Sequence, residues 1–283
     1  MAKNYRAELV GVFGDPVDDN PTGVMMEAAF AHDNLNYRYL ILKVTKANLK
    51  AAFEGIKAAG FVGLNFTMPH KIAIIPLLDE LSPAASIIGA VNTAYCKNGT
   101  WYGDNTDGKG FVSSLVKSGA KLDGANIVVF GAGGAARAIS VECALAGAGH
   151  VTIVNRTASH GMELADVINN KTGAKADFVE WNKTYTVPSD TDIVIQATSI
   201  GFSPNVNDAP DIDYDSVKSN MIAGDVIFSP LESVFIRKCK AKGAKTILGV
   251  DMLVEQGILA YELWTGIKPS SSVMVEALRK EFS

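Results

Sequence analysis

The sequence has few cysteines and no long apolar run. Its 283 residues include only Cys96, Cys143 and Cys239, which are far apart and form no CxxC pair. This pattern argues against a disulfide framework or a zinc site, so we expect no bound metal and a reducing, cytoplasmic setting. No run of about 18 apolar residues occurs, and the N-terminus lacks the apolar segment of a signal peptide, so we expect no membrane partner.

A basic stripe is also missing. The chain has 26 Lys and Arg against 30 Asp and Glu, a formal net charge of −4, and both signs are scattered along it. A general nucleic-acid-binding protein more often shows a basic stripe, so we expect no nucleic-acid partner. Hydrophobic residues make up 48% of the chain and charged residues 20%, as is ordinary for a globular protein, and the length fits two domains.

Strand-like and helix-like patterns alternate along the chain. The strand-like runs are 7–14, 37–44, 61–66, 127–130, 151–155, 192–197 and 221–228. Helix-like runs at 23–33 and 46–59 separate the first of these. This alternation predicts an α/β fold with parallel sheets, doubly wound in the second half, and a helical stretch from about Asp251.

A glycine-rich loop follows the run 127–130. It contains Gly131, Ala132, Gly133, Gly134 and Ala135. Gly131 can take the tight turn, and Gly133 lets the backbone approach a pyrophosphate. The N–H groups of a following helix would point at the phosphates. Such glycines often only make turns, but the preceding strand, the following helix and a well-spaced second strand predict dinucleotide binding here.

That second strand ends in Asn155, Arg156 and Thr157. An NAD-specific site usually has an acid at this place, whereas this loop has none before Glu163. The planar guanidinium of Arg156 suits a 2′-phosphate, although the side chain could instead lie in solvent. We therefore favour NADP over NAD as the cofactor.

The segment NFTMPHK ends in Lys71 and precedes an apolar, helix-like run. Proline suits a first helical turn, which would put Lys71 near the positive end of that helix. A lysine so placed can move a proton between an alcohol and a ketone, and the alternative is an ordinary surface lysine. The turn-forming segments 89–93 and 104–108 are unremarkable individually.

Together these segments resemble the shikimate dehydrogenase family. NFTMPHK is similar to that family's N-V-T-x-P-x-K, and GAVNT, GDNTDGKGF, GAGGAARA with NRT, QATSIGF and MLVEQGILAYELWTG follow in the family's order. The resemblance implies a two-domain fold with the active site in the interdomain cleft. An N-terminal α/β substrate domain (residues 1–107 with 249–283) would take in the C-terminal helices, and residues 108–248 would form a Rossmann-type, doubly wound cofactor domain.

The resemblance also implies roles for individual residues. Lys71 and Asp107 would be the catalytic proton-transfer pair. The substrate contacts would be Asn20, Thr22, Thr67, Asn92 and Gln256. The cofactor contacts beyond the glycine loop would be Asn155, Arg156, Thr157, Thr198 and Gly249. The implied protein is an NAD(P)-dependent oxidoreductase that interconverts a ring hydroxyl and a ketone on a small-molecule substrate, as a monomer or homodimer.

The first motif departs from the family pattern. The family usually begins G-x-x-G-x-P-V-x-H-S-x-S-P-x-M-H-N, whereas the same segment here reads GVFGDPVDDNPTGVMME. The two serines that hold the substrate carboxylate in the family become Asn20 and Thr22. Both still offer donors, but Asp18 and Asp19 would oppose an anion if they faced it. The substrate is therefore open between shikimate and a related hydroxy-cyclohexane or hydroxy-cyclohexene compound such as quinate.

Two further departures and two alternative functions remain. Gln196 replaces the usual Asn of the N-A-T-S motif, and Phe228 replaces a tyrosine before Ser229-Pro230. One alternative is a non-catalytic sensor that keeps the fold and binds a metabolite. The other is a two-domain dehydrogenase acting on an amino acid or a folate. Retention of both Lys71 and Asp107 favours the enzyme over the sensor, and the ordered NFTMPHK and GDNTDGKG motifs favour this family over the other dehydrogenases.

Overall fold

The computed structural model describes residues 5–282, which form two units. The first unit holds the described residues up to Thr106 and those from Gln256 onward, and the second runs from Asp107 to Glu255. Within residues 5–282, no helix is long and apolar enough to cross a membrane. The same residues contain no cluster of three or more His, Cys, Asp or Glu side chains that could hold a metal ion.

A six-stranded sheet forms the centre of the first unit. Its strands are β1 (Glu8–Gly14), β2 (Tyr37–Lys43), β3 (Gly63–Phe66), β4 (Glu80–Leu81), β5 (Thr93–Lys97) and β6 (Thr100–Asp104). Their order across the sheet is β2-β1-β3-β5-β6-β4. β1 is parallel to β2 and β3, as the alternating pattern predicts, whereas β5 is antiparallel to both β3 and β6.

The prediction of parallel pairing is wrong for β5 and β6 because a tight hairpin joins them. Asn98 and Gly99 form its two-residue loop, with φ angles of 53° and 84°. Left-handed backbone at both central positions is typical of the hairpin turn that matches strand twist. The sheet of the first unit is therefore mixed.

Short helices connect these strands. They are α1 (Thr22–His32), α2 (Leu49–Ala59), α3 (His70–Ala73) and α4 (Pro83–Ile88), with 3-10 turns at Lys46–Asn48 and Ile75–Leu77. In α2, Leu49, Phe53 and Ile56 recur at helical spacing and are buried, and the helix ends at Gly60 with a φ of 77°. The Phe53 ring meets the Trp101 ring edge-on, with 5.2 Å between centroids, in the core of this unit.

A parallel sheet forms the centre of the second unit. After helix α5 (Thr106–Lys117), its strands are β7 (Asn126–Phe130), β8 (His150–Asn155), β9 (Lys175–Glu180), β11 (Ile193–Gln196), β13 (Ile222–Asp225) and β14 (Lys245–Ile247). β10 (Tyr185–Thr186) and β12 (Ile212–Asp213) form a separate two-stranded sheet, and Tyr214–Ser216 is a 3-10 turn. The helices between these strands are α6 (Gly134–Leu145), α7 (Ala158–Lys171) and α8 (Val234–Ala241).

The strand order of this sheet is β14-β13-β11-β7-β8-β9, and every pairing is parallel. Starting from β7, the chain winds outward first through β8 and β9 and then through β11, β13 and β14. This is the doubly wound, Rossmann-type order, so the predicted fold class is confirmed. The core of the unit includes Phe130, whose ring centroid lies 5.1 Å from that of Trp181.

The C-terminal helices return to the first unit, as the family resemblance implies. They are α9 (Gly249–Thr265), from its residue Gln256 onward, and α10 (Ser271–Glu281). α10 packs against α1, and the Tyr261 ring stacks on Phe30 with 5.0 Å between centroids. Trp264 donates a hydrogen bond from Nε1 to the carbonyl oxygen of Ala94, at 3.0 Å. These contacts attach the C-terminal helices both to helix α1 and to strand β5 of the first unit.

Candidate active site

One edge of the first unit's sheet collects most of the predicted substrate residues. The carboxyl ends of β1, β3 and β6 lie at this edge together with the start of the antiparallel β5, because Phe13 pairs with Phe66, Asn65 with Thr93, and Thr93 with Asp104. The residues that lead from these strand ends are Asn20, Thr22, Thr67, Lys71 and Asn92. The carboxyl edge of an α/β sheet is where ligands usually bind.

The segment that carries Lys71 is held closely against β1. The Thr67 amide donates to the carbonyl oxygen of Phe13 at 3.0 Å, and the His70 amide donates to that of Thr67 at 2.8 Å. A Cβ on Gly14 would lie 2.4 Å from Cγ2 of Thr67, so the close approach requires glycine there. The segment is thus fixed to the backbone of β1.

Lys71 is half-buried in a single helical turn. Pro69 lies just before α3 rather than within it, and the helix has only four residues, His70–Ala73. A helix this short aligns few peptide dipoles, so the helix-end effect expected from the sequence is small. His70 is fully buried beside Lys71, and its Nε2 donates to the carbonyl oxygen of Val44 at 2.7 Å. That bond ties α3 to the end of β2.

Asn92 and Thr106 lock the start of β5 to the start of α5. The Thr106 amide donates to Oδ1 of Asn92 at 2.7 Å, and Nδ2 of Asn92 donates to the Thr106 hydroxyl at 3.0 Å. The Thr106 hydroxyl also lies 3.0 Å from that of Thr93. All three side chains are buried, so these bonds satisfy groups that would otherwise be costly to desolvate.

Asn65 extends this network to Tyr39 on β2. Nδ2 of Asn65 donates to Oγ1 of Thr93 at 2.9 Å, and the Tyr39 hydroxyl donates to Oδ1 of Asn65 at 2.8 Å. Burial raises the pKa of Tyr39 well above its ordinary value, against a smaller lowering by Thr22. Sequence reasoning missed Tyr39, which carries no motif signal, and quoted Asn65 without a role.

The altered anchor is a compact turn at the beginning of α1. Oδ1 of Asn20 accepts a hydrogen bond from the Thr22 amide at 3.0 Å. Thr22 is buried and Asn20 half-buried, whereas Asp18 and Asp19 are exposed. Exposed carboxylates remain solvated, so the two aspartates oppose an anion at this turn less than they would from a buried position.

The remaining residues of the predicted catalytic and substrate set lie on the long helices. Asp107 is half-buried in the first turn of α5, where a carboxylate is favoured by the positive end of the helix. The adjacent Gly108 allows close helix packing, because a Cβ there would lie 2.3 Å from the carbonyl oxygen of Ala138. Gln256 is buried in α9.

In the second unit, the glycine loop leaves open space in which a ligand could approach the protein backbone. Gly131 adopts a φ of 111°, and a Cβ there would lie 2.8 Å from the carbonyl oxygen of Ala197. Gly133 and Gly134 are exposed, and a Cβ on either would meet nothing within 4 Å. Gly133 is the cap residue of α6, so the loop and the helix N-terminus together fit a pyrophosphate.

The loop after β8 is exposed, and its residues 156–157 include no acid. Nδ2 of Asn155 donates to the carbonyl oxygen of Thr157 at 2.9 Å, and Arg156 and Thr157 are exposed. The next acid along the chain, Glu163, forms an ion pair with Arg137 at 2.8 Å, and Glu180 of the neighbouring β9 pairs in register with Asn155. The hydrogen bond and charge of Arg137 lower the pKa of Glu163, so this carboxylate stays ionised and neutralised. Sequence reasoning quoted Arg137 in the glycine motif but did not anticipate this pairing.

Two predicted cofactor residues have structural roles of their own. Gln196 stands where the family usually has asparagine. Its Oε1 accepts hydrogen bonds from the Thr198 amide at 2.6 Å and from the Thr198 hydroxyl at 2.8 Å. Gln196 thereby shapes the turn that contains Thr198. Gly249 begins α9, and a Cβ there would lie 2.2 Å from the carbonyl oxygen of Ile227. Phe228, in place of the family tyrosine, meets the ring of Phe202 edge-on at 5.3 Å.

These features define a class of protein. A Rossmann-type unit with a glycine loop at a helix N-terminus, in one chain with an α/β unit that gathers a lysine and polar side chains at its sheet edge, is the design of a dinucleotide-dependent oxidoreductase.

Comparison with known proteins identifies the family within that class. Residues 12–94 match the shikimate dehydrogenase substrate binding domain, residues 114–204 match shikimate / quinate 5-dehydrogenase, and residues 249–279 match the shikimate 5'-dehydrogenase C-terminal domain. The shikimate dehydrogenase (NADP(+)) of Desulforamulus reducens is 40% identical over 282 residues, which cover 98% of this chain and 97% of that protein. The chain belongs to the shikimate dehydrogenase family.

Two solved structures show the same fold with different names. The ligand-free 5-ketofructose reductase of a Gluconobacter species is 43% identical, with a TM-score of 0.96 and coverage of 99% of this chain and 100% of that one. The shikimate 5-dehydrogenase of Listeria monocytogenes, in complex with shikimate and NAD, is 30% identical, with a TM-score of 0.91 and coverage of 98% and 99%.

Proposed function

We propose that the protein is an NADP-dependent oxidoreductase that interconverts a hydroxyl group and a ketone on shikimate or a related polyhydroxylated ring compound. The observation that carries the proposal is the set of polar side chains and Lys71 at the carboxyl edge of the first unit's sheet, in a chain that also has an open glycine loop. The names of the relatives support the same reaction class.

Bound NADP supplies the hydride acceptor or donor for this reaction. In the reducing direction, Lys71 gives a proton to the substrate oxygen as the ketone becomes an alcohol, and in the oxidising direction it takes that proton back. Asp107 holds the lysine side chain and exchanges its proton. Thr67, Asn92 and Gln256 orient the ring through hydrogen bonds, and Asn20 with Thr22 anchors another substituent of the ring.

The cofactor is held by the second unit in this proposal. The loop of Gly131 to Ala135 and the N-terminus of α6 bind the pyrophosphate, and Arg156 binds the 2′-phosphate. Asn155 and Thr157 would shape the loop around the ribose, and Thr198 and Gly249 would be further cofactor contacts. Because Glu163 forms an ion pair with Arg137, this carboxylate does not oppose the 2′-phosphate.

A neutral cyclic ketose is a second candidate substrate. The similarity to a structure named 5-ketofructose reductase, at 43% identity over nearly the whole chain, favours it. That name describes a ketone without the carboxylate that the family serines hold. The reaction class is the same for both candidates, so one assay compares them.

The assay follows NADPH absorbance with purified protein. Shikimate and quinate are supplied with NADP, and 5-ketofructose with NADPH, and each is repeated with the NAD form of the cofactor. We expect turnover of at least one substrate, with NADP preferred. Lys71→Ala should abolish it, whereas Lys50→Ala, which changes an exposed lysine of α2, should not. Absence of turnover with every pair would reject the proposed reaction in favour of metabolite sensing.

Domain limits, assembly and location are part of the same proposal. The substrate domain comprises residues 1–107 with 249–283, and the cofactor domain comprises residues 108–248. The protein acts in the cytoplasm as a monomer or homodimer. Light scattering on the purified protein would distinguish the two states.

A further inference from the structure

We propose that His70 is a positioning residue, which sets the place of the neighbouring Lys71 through its hydrogen bond to Val44. The inference rests on the proposed function, in which Lys71 transfers the proton of the substrate. His70 is fully buried, so it acts through the backbone that it shares with Lys71 and not on the substrate.

The helix that carries Lys71 has few side chains to hold it in place. α3 is a single turn, His70–Ala73, and no side chain caps its N-terminus. Of its four residues, all of which the structure describes, His70 alone is buried. Ile72 is 70% exposed, and Met68, just before the turn, is 72% exposed. Apolar side chains that lie in solvent stabilise a helix little, so His70 is the side chain that fixes α3 to the unit.

The His70 bond reaches an element that the backbone bonds of this segment do not reach. Those backbone bonds join the segment to β1 and, through the carbonyl oxygen of Lys71, to the amide of Val91 at 2.8 Å. His70 adds Val44, directly after β2, at 2.7 Å. Val44 is itself fixed, because its amide donates to the carbonyl oxygen of Gly14 at 3.0 Å. Two points of attachment leave a turn free to rotate about the line between them, and the third point removes that freedom.

Stability does not explain a histidine at this position. A carbonyl oxygen only accepts hydrogen bonds, so Nε2 of His70 must carry a hydrogen. The other ring nitrogen, Nδ1, is buried and has no hydrogen-bond partner among residues 5–282. A leucine would instead leave the carbonyl oxygen of Val44 unpaired, so either side chain leaves one buried polar atom without a bond. The two side chains differ in the bond that holds α3 to Val44.

The test substitutes His70 and measures kcat, KM and the melting temperature. The kinetics use NADP and the substrate that the unchanged protein converts best. His70→Leu should lower kcat by about tenfold to 100-fold, because a displacement of about 1 Å in a reacting group has an effect of this order. KM should change by less than about threefold, since the substrate contacts remain. The melting temperature should shift by no more than about 4 °C, because the number of unpaired buried groups is unchanged.

Two further variants separate the hydrogen bond from the packing. His70→Gln places an amide nitrogen at about the same distance from the backbone as Nε2, so it can donate to Val44 and should keep kcat within about threefold of the unchanged protein. Ile74→Val is the matched control, because it trims a fully buried side chain directly after α3. It should lower the melting temperature by a few degrees and leave kcat within about twofold.

The place of Lys71 can also be followed without turnover. A brief treatment with acetic anhydride acetylates lysines according to their exposure, and mass spectrometry gives the rate at the half-buried Lys71 relative to that at the exposed Lys50. His70→Leu should raise this ratio by about threefold or more, because a lysine on a released turn opens to solvent more often. His70→Gln and Ile74→Val should leave the ratio unchanged.

The outcomes that overturn the inference differ from those that reject the proposed reaction. A near-normal kcat in His70→Leu overturns the inference, as does an equal loss of kcat in His70→Gln or in Ile74→Val. An unchanged acetylation ratio in His70→Leu overturns it as well. If the unchanged protein converts none of the substrates, the proposed reaction is rejected and the acetylation ratio alone decides the inference. If His70→Leu does not fold, His70→Phe takes its place in both measurements.

Discussion

Asp225 should make the free energy of unfolding depend on pH, by an amount that follows from the structure. It ends β13 in the second unit and is fully buried. Its Oδ2 accepts from the Ser233 hydroxyl at 2.5 Å and its Oδ1 from the Ile227 amide at 3.0 Å. Burial raises the pKa of Asp225 to about 6, although these hydrogen bonds act in the opposite direction. The charged form is therefore less stable in the folded protein than in the unfolded chain.

The sign of the pH dependence follows from this shift. The folded-state pKa, about 6, lies above the reference value of 3.8, so protonation favours the folded state. The stability that Asp225 contributes is fully present below the unfolded-state pKa and is lost as pH rises through about 6. At 1.36 kcal/mol per unit, the full loss is about 3 kcal/mol, of which about 2 kcal/mol falls between pH 4 and pH 7.5.

The assay compares the free energy of unfolding in urea for the unchanged protein and for Asp225→Asn at both pH values. Subtracting the variant removes the contributions of the other titrating groups. The difference should favour the unchanged protein by about 2 kcal/mol more at the lower pH. Asp208→Asn, at an exposed position of the same unit, should show no such change. A difference for Asp225→Asn that is independent of pH would refute the reasoning.

The remaining predictions concern the proposed reaction. Lys71→Ala should keep NADP binding, measured by fluorescence titration, and lose roughly 10²–10⁴-fold in kcat, and near-normal kcat would remove the lysine from the mechanism. Asp107→Asn should lower kcat or raise KM, and Michaelis parameters that both stay unchanged would reject its role. Gly131→Ala should weaken cofactor binding and lower the melting temperature, because its φ of 111° is unfavourable for alanine and the Cβ would lie 2.8 Å from a carbonyl oxygen, and an unaltered variant would contradict this. Arg156→Ser should reduce the NADP-to-NAD ratio of kcat/KM by about 1–3 kcal/mol in free-energy terms, and an unchanged ratio would mean that the arginine faces solvent.

The elements that are marked by short-range sequence patterns could be predicted from the sequence. The apolar run of β7, followed directly by Gly131 and Gly133, gave the Rossmann-type unit, because a buried parallel strand and a glycine turn leave a short-range pattern. The helical spacing of Leu49, Phe53 and Ile56 likewise predicted α2. The order of the family motifs predicted that the C-terminal helices belong to the first unit. Periodicity alone did not assign them to either unit.

Features that depend on distant pairing could not be predicted in the same way. The alternating pattern did not predict the antiparallel β5 and β6, although the Asn98-Gly99 pair between them is itself a hairpin signal. The network from Tyr39 through Asn65 to Thr93 joins residues that are far apart in sequence, and no single segment marks it. Gly249 resembled a cofactor residue, while the structure shows that it also lets the backbone of Ile227 approach closely.

The measurement that tests the central claim most directly is transfer of a labelled hydride. The protein is mixed with NADPH that carries deuterium at the reactive position of the nicotinamide and with the ketone that it reduces best, and the product is analysed by mass spectrometry. The account predicts one deuterium on the carbon that becomes the alcohol, and loss of this transfer in Lys71→Ala. Consumption of NADPH without deuterium in the product, or no reduction of any ketone tested, would contradict it.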